Sequence, residues 1–202
     1  MNLEGAHALY ALLWLSFGFV HSWLAGAGMK SRMRPFFGAY YRLVYNLIAA
    51  LHIGAIGMIG AWLYEGGHET VPFAEWRGFL TVLAVAGWTL MILALRTYDV
   101  GRLLGTAQIR DHRAGRPVDD DEPLITTGFH AYMRHPLYTA GYLILWGAAW
   151  TDLGLMTAVW GTLYLFIGAR FEERRLRRLY GEVYQEYVRR VPAFFPWRGK
   201  AI

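Results

Sequence analysis

The chain has no cysteine, so disulfide bonds, thiolate metal ligands and a cysteine nucleophile are all excluded. The segment 78–95 has no charged residue. No basic segment precedes the first apolar run of the chain, and basic residues follow it, which is the reverse of a cleavable signal peptide. We therefore expect the first apolar run to be retained as a helix.

Long apolar runs are what the chain has instead. Residues 8–27, 43–64 and 78–95 form three runs of 18 residues or more, a length that spans a bilayer. Two shorter runs, 137–151 and 153–169, are separated by Asp152, and they predict a helical hairpin packed inside a bundle. We predict an all-α integral membrane bundle of five transmembrane helices, followed by a cytoplasmic, amphipathic C-terminal helix.

Charge in the connecting loops predicts the orientation. The loop after the first run, the segment 96–136 and the C-terminal tail are basic, whereas the loop after the second run is mainly acidic. Basic loops favour the cytoplasmic side, which places the N-terminus outside and the C-terminus inside. The net charge of +5 then reflects cytoplasmic loops, so we predict a lipid bilayer as the environment, with no nucleic-acid or protein partner. Composition favours a bacterial inner membrane.

We predict a single membrane domain over 1–202 with three parts. Residues 1–98 form a three-helix N-terminal part, residues 99–135 a cytoplasmic connection, and residues 136–202 the hairpin with a C-terminal helix and tail. The connection contains an acidic stretch at 117–123. That stretch is either a flexible solvated loop or a lid over a site, and composition does not separate the two.

Charged residues next to membrane-length segments mark the candidate site. His135, Glu172 and Glu173 each adjoin an apolar run, where a charge is costly and indicates a function. The chain reads Arg134-His135-Pro136 before one run, and Glu172-Glu173 follows the next. Proline at the first helical turn is well tolerated, so Pro136 predicts the start of a helix.

These residues form part of a longer pattern in fixed order. The pattern comprises Leu124 to Gly128, Arg134-His135-Pro136, Tyr138, Gly141, Glu172-Glu173, Leu176, Tyr180-Gly181, Tyr184, Tyr187, Val191-Pro192 and Phe195-Pro196. It resembles the cofactor-binding end of the isoprenylcysteine carboxyl methyltransferase and phospholipid methyltransferase superfamily.

The resemblance implies a methyltransferase that uses S-adenosylmethionine. Arg134 and His135 can donate to the carboxylate of such a cofactor, a glutamate can accept from its ribose or ammonium, and aromatic faces favour its sulfonium. No metal is implied. The implied catalytic residues are Arg134 and Glu173, and the implied cofactor-binding residues are His135, Pro136, Tyr138, Gly141, Glu172, Glu173, Tyr184, Tyr187 and Phe195.

The N-terminal half carries a second resemblance. His21-Ser22, Lys30 and Tyr41 to Asn46 are similar to the NnrU-type branch, which is related to bacterial membrane thiol S-methyltransferases. The usual Gly-Leu-Arg-Gln of that branch is Gly105-Thr106-Ala107-Gln108 here. The branch implies a small or lipophilic thiol that arrives from the bilayer, although an isoprenylcysteine carboxylate or a lipid amine is compatible. The implied substrate-side residues are His21, Asn46, His52 and Gln108.

Simpler interpretations stay open. Glu172 with Arg175 and Glu173 with Arg177 have the spacing of surface ion pairs on a helix, and Tyr184 and Tyr187 share a face that could be core. His21 and His52 lie at similar predicted depths, so a non-enzymatic haem protein is the competing function. A third possibility is a family fold that has lost its chemistry. Finally, Gly54, Gly57 and Gly60 have the spacing of close helix packing.

Overall fold

A computed structural model describes residues 2–65, 73–118 and 123–198, and these ranges contain no β-strand. The prediction of an all-α membrane bundle is confirmed. Residues 119–122 of the acidic stretch lie outside the described residues, so the choice between loop and lid stays open. The α-helices are α1 (Leu3–Ala25), α2 (Ala27–Phe37), α3 (Tyr41–Leu63), α4 (Arg77–Leu95), α5 (Val100–Leu104), α6 (Thr106–Arg113), α7 (Pro136–Gly147) and α8 (Asp152–Arg190).

Among the residues that the structure describes, four stretches of helix are long and apolar enough to cross a membrane: α1, residues 27–63 with α3 as the apolar part, α4 and α8. The helix α7 has only 12 residues. At 1.5 Å per residue it rises about 18 Å, which is less than the roughly 30 Å of hydrocarbon in a bilayer. A fifth crossing through the hairpin of α7 and α8 therefore stays a prediction, as does the orientation.

The chain divides into two compact units. The first consists of Met1–Glu65 and Tyr98–Glu122, and the second of Gly66–Thr97 and Pro123–Ile202. The units cut across the sequence order, because α4 groups with α7 and α8 rather than with α1 and α3. Each unit is described by itself below.

In the first unit α1 and α3 run antiparallel along their length. Three contacts between polar side chains mark the register: His7 with Tyr64, Ser16 with His52, and His21 with Tyr45. Within an apolar layer such hydrogen bonds satisfy groups that lipid cannot. Asn2 caps α1 by accepting from the backbone N–H of Gly5 at 3.0 Å.

In the second unit α7 packs closely against α4. A Cβ atom added to Gly147 would lie 2.4 Å from the backbone nitrogen of Ala84, and one added to Gly87 would lie 2.8 Å from that of Ile144. The two helices thus approach through glycines, as membrane helices commonly do. The expectation for Gly54 and Gly57 is wrong, because no other helix in the described part of the chain has an atom within 4 Å of the Cβ position at either residue.

The helix α8 is one continuous rod up to Gly181. Thr151 caps its start by accepting from the backbone N–H of Gly154 at 3.1 Å. At Gly181 the backbone has φ 54° and ψ −126°, a conformation that glycine adopts without the penalty a side chain would incur. The remaining two turns therefore change direction, and they bring the C-terminal tail back toward the start of α7.

Candidate functional site

Arg134, His135 and Glu173 form a buried polar cluster in the second unit. Their side chains are 8%, 3% and 12% exposed. Glu173 Oε1 accepts from Arg134 Nε at 3.0 Å, from Arg134 Nη2, and from His135 Nε2 at 3.1 Å. A buried carboxylate needs such donors to offset the loss of water. The structure therefore brings together the two motifs that the sequence singled out, which are 38 residues apart.

The tail is held by backbone hydrogen bonds to the same motif. The N–H groups of Arg134 and His135 donate to the carbonyls of Pro192 and Ala193, each at 2.9 Å. Arg134 Nη1 donates to the carbonyl of Val191. The tail thus folds back onto the motif, and the Arg134 guanidinium bonds both to Glu173 and to the tail.

A small core below the cluster fixes the last turns of α8. Tyr184, Tyr187 and Val191 are buried against one another and against Leu124 and other apolar side chains. The Tyr187 hydroxyl donates to the carbonyl of His130 at 2.6 Å. The simpler interpretation of the two tyrosines as core thus describes their observed contacts. A role for either in binding a cofactor stays a prediction.

Aromatic side chains surround the ring of His135. Phe194 lies against it with ring centroids 5.6 Å apart, and Tyr138 meets it edge-on at 5.2 Å. Tyr142 packs edge-on against Phe194 at 5.3 Å. Phe195, which the sequence predicted to bind the cofactor, is 55% exposed, and its neighbour Phe194 contacts the His135 ring. A role for Phe195 in binding a cofactor stays a prediction. Adjacent side chains of an extended segment point in opposite directions, so only one of the two phenylalanines can face the protein. The sequence does not indicate which one, because it does not give the register of the tail.

Glu172 lies at the open edge of this aromatic group. Its side chain is 41% exposed, and one carboxylate oxygen lies 3.9 Å from His135 Nδ1. The two glutamates therefore have different surroundings: Glu173 is saturated by donors, and Glu172 keeps an accessible face.

Pro136 and Gly141 have packing contacts on α7. Pro136 is buried at the first turn of the helix, as predicted from its position. A Cβ atom at Gly141 would lie 3.0 Å from Leu165 Cδ1, so the residue permits α7 and α8 to pack closely. A role for either residue in binding a cofactor stays a prediction.

The four residues expected on the substrate side all belong to the first unit. Asn46 Nδ2 donates to the carbonyl of Leu103 at 2.8 Å. Gln108 is 1% exposed, and its Nε2 donates to the carbonyl of Arg102 at 3.2 Å. Gly105 has φ 96° and lies in the turn before α6, close to Leu43. A Cβ atom added to Gly105 would lie 2.6 Å from the backbone nitrogen of Leu43. The altered stretch 105–108 is therefore part of a tight backbone contact.

The haem interpretation gains no support from the histidine geometry. His21 Nε2 contacts the Tyr45 hydroxyl, and His52 Nε2 lies 3.1 Å from Ser16 Oγ. The ring of Phe17 lies against both imidazoles, at 5.4 and 5.5 Å between centroids. The nitrogens that commonly ligate a haem iron are thus already engaged. No cluster of three metal-ligating side chains occurs in the described ranges.

His130 and Asp111, which lie in connections between the long helices, have shifted pKa values. Burial lowers the pKa of His130 to about 4, so this histidine is neutral at physiological pH. The hydrogen bonds that Arg116 donates hold the pKa of Asp111 below its ordinary value. His130 lies below the cluster and was not singled out by the sequence, where nothing distinguished it from a loop histidine.

Comparison with known proteins places this arrangement in a family. Residues 84–183, which include the whole Arg134–His135–Glu173 cluster, match the model of the phospholipid methyltransferase family. The family match, together with the relatives below, supports this superfamily for the chain. It is 29% identical over 193 residues to a methanethiol S-methyltransferase of Pseudomonas deceptionensis, which covers 92% of this chain and 71% of the relative.

Two further relatives share shorter regions. Methanethiol S-methyltransferase 1 of Bradyrhizobium diazoefficiens is 32% identical over 123 residues, or 59% of this chain and 42% of the relative. The human protein-S-isoprenylcysteine O-methyltransferase is 31% identical over 149 residues, or 70% of this chain and 50% of the relative. This chain thus spans about half the length of these two relatives. No solved structure matches it significantly.

Proposed function

We propose that the chain is an integral-membrane methyltransferase that uses S-adenosylmethionine and methylates a small or lipophilic thiol. The observation that carries the proposal is the buried Arg134–His135–Glu173 cluster beside the accessible Glu172, inside the region that matches the family. Relatives named as methanethiol S-methyltransferases, one of them matching nearly the whole chain, support the choice of a thiol over a carboxylate or an amine.

The residues around His135 fit such a cofactor. The Tyr142 hydroxyl is buried and has no hydrogen-bond partner among the described residues, so it is a donor or acceptor still available to a ligand. Glu172 offers an accessible carboxylate, and Tyr138 and Phe194 present aromatic surfaces next to it. An ammonium or ribose hydroxyl suits the carboxylate, and a sulfonium suits the aromatic faces.

The residues of the cluster have separate tasks in this proposal. Glu173 holds the His135 ring in one orientation through Nε2, which leaves the Nδ1 edge toward Glu172. Arg134 joins Glu173 to the tail and keeps Phe194 against the ring. S-adenosylmethionine, when bound, supplies a methyl group activated by its sulfonium. The protein contributes position and the exclusion of water, which favour transfer to a thiolate sulfur.

Binding of S-adenosylhomocysteine to the full chain in detergent tests the cofactor assignment. Calorimetry should show saturable binding to the wild type. Glu172→Gln should weaken it about ten-fold, because a hydrogen bond to a charged group contributes roughly 1.5–3 kcal/mol. Glu186→Gln is the matched control, since Glu186 lies on the same helix with two arginine partners, and it should bind normally. Absence of saturable binding to the wild type would refute the proposal.

Methyl transfer from labelled S-adenosylmethionine tests the acceptor. Methanethiol, longer alkyl thiols, an isoprenylated cysteine and a lipid amine are compared at equal concentration in the same membranes. A thioether product from the thiols, with little product from the others, is the expected result. Transfer to the carboxylate or the amine alone would overturn the thiol assignment and leave the cofactor assignment intact.

A further inference from the structure

One face of α8 changes abruptly from apolar to arginine. Leu163, Phe166 and Ile167 are exposed at 43–44% of their surface, on the part of the helix apolar enough to lie in a membrane. Arg170, Arg174 and Arg178 are also exposed. Successive positions are three or four residues apart, so they form one stripe along the helix, at residues 163, 166, 170, 174 and 178. The exposed apolar stripe is therefore continued by exposed arginines.

A neighbouring side of α8 contacts the protein. Glu173 points to the buried cluster, and Leu176 and Tyr180 pack on the small core of Tyr184 and its neighbours. The arginine stripe therefore does not face the candidate site, and it is not needed for the contacts that hold the site together.

Two of the arginines lean toward the apolar end of the helix. The Arg170 guanidinium lies 4.8 Å from the centre of the Phe166 ring, and that of Arg174 lies 5.8 Å from the centre of the Phe171 ring. Side chains on a helix tilt toward its N-terminus, which for α8 is the apolar end. The positive charges are thus directed back toward the boundary where the apolar segment ends.

These arginines differ from others on α8 in their partners. Arg189 and Arg190 pair with Glu186. Over the described ranges, no carboxylate forms an ion pair with Arg170, Arg174 or Arg178. Three positive charges on one exposed stripe are left for partners outside the chain.

We propose that Arg170, Arg174 and Arg178 bind the phosphates of anionic lipids in the membrane that α8 leaves. The three residues rise about 12 Å along the helix from first to last, and long arginine side chains can reach back into the headgroup layer over that distance. Guanidinium groups match phosphate oxygens in a bidentate way, and anionic surfaces attract basic residues next to a membrane helix. The proposal rests on α8 alone and does not depend on methyl transfer.

Lipid retention by the full chain tests the proposal. Protein in detergent is mixed with equal amounts of phosphatidylglycerol and phosphatidylcholine, and bound lipids are counted by native mass spectrometry. The wild type should retain phosphatidylglycerol in preference by about five-fold or more, since one basic residue near an anionic surface contributes about 1 kcal/mol. The triple variant Arg170→Gln, Arg174→Gln, Arg178→Gln should show a preference below about two-fold.

A second triple variant controls for net charge. Arg189→Gln, Arg190→Gln, Arg198→Gln removes the same charge from exposed positions and should keep the wild-type preference. An equal loss in both triple variants, or no loss in the first, would overturn the proposal. Displacement of the bound lipid by free glycerol phosphate at the lipid's own concentration would also overturn it, because the site would then take a soluble anion. If the first triple variant loses helical circular dichroism, the three single variants decide, each with part of the loss expected.

Discussion

Replacement of Glu173 by glutamine removes the carboxylate that joins α8 to the Arg134–His135 motif. Glu173 accepts three hydrogen bonds from Arg134 and His135, and Arg177 Nη2 lies 3.6 Å from its other oxygen. The variant leaves the Arg134 charge buried at 8% exposure with only carbonyl partners. Removal of one partner from a buried ion pair destabilises a protein by about 3–5 kcal/mol. A glutamine oxygen still accepts one bond, so we expect a loss of about 3 kcal/mol.

Unfolding in detergent measures this loss through tryptophan fluorescence, because the chain has nine tryptophans and no cysteine for thiol-reactive dyes. Glu186→Gln again serves as the control. Its ion pairs are 43–66% exposed, so it should lose no more than about 1 kcal/mol. The double variant Arg134→Gln, Glu173→Gln should lose less than the sum of the single variants, with a coupling of about 1–3 kcal/mol. Equal losses for Glu173→Gln and Glu186→Gln would refute the role of Glu173 as a buried tie.

Three further predictions concern other contacts. Truncation after Arg190 removes the carbonyls that hold the motif at 134–135, so the protein should stay helical by circular dichroism and lose affinity for S-adenosylhomocysteine; affinity within error of the wild type would leave the tail as a lipid anchor. Gly147→Ala forces a methyl group against Ala84 and should cost about 1–3 kcal/mol in thermal unfolding, whereas Gly57→Ala, with open space around it, should not destabilise α3. Burial keeps His130 neutral in the folded state, so the stabilisation that depends on its neutral form is complete above pH 6.5. The free energy of unfolding should fall by up to about 3 kcal/mol as pH drops toward 4. A His130→Asn variant should flatten this dependence of stability on pH, and an unchanged dependence would contradict the assignment.

The apolar helices could be predicted from sequence because length and hydrophobicity alone determine them. The predicted runs 8–27, 43–64 and 78–95 correspond to α1, α3 and α4 with differences of a few residues at most ends. The short helices α5 and α6 were missed inside the connection 99–135. Five and eight residues do not establish a periodic pattern, and their stability comes from contacts such as that of Gly105 with Leu43.

The sequence predicted which residues form the candidate site, but not which of them bond to one another. The motif at 134–136 and the glutamate pair were visible as charges beside apolar runs, and the structure brings them together. Their mutual pairing was not predicted, since an arginine next to a membrane helix can equally bind a ligand. The contact of the tail with the motif depends on backbone groups of Pro192 and Ala193, which carry no signal in the side-chain sequence.

Helical geometry explains why two adjacent glutamates take different roles. Successive residues on an α-helix point about 100° apart, so only one of the pair can face the interior. Glu173 takes that direction and is neutralised by Arg134 and His135, and Glu172 is left at the edge with 41% of its side chain exposed. For Glu172 and Glu173 to exchange surroundings, α8 would have to rotate about its axis. The side-chain cap at Thr151 and the turn at Gly181 oppose such a rotation. The fold therefore surrounds one carboxylate with donors and leaves the other accessible, which is what the proposed contact of Glu172 with the cofactor requires.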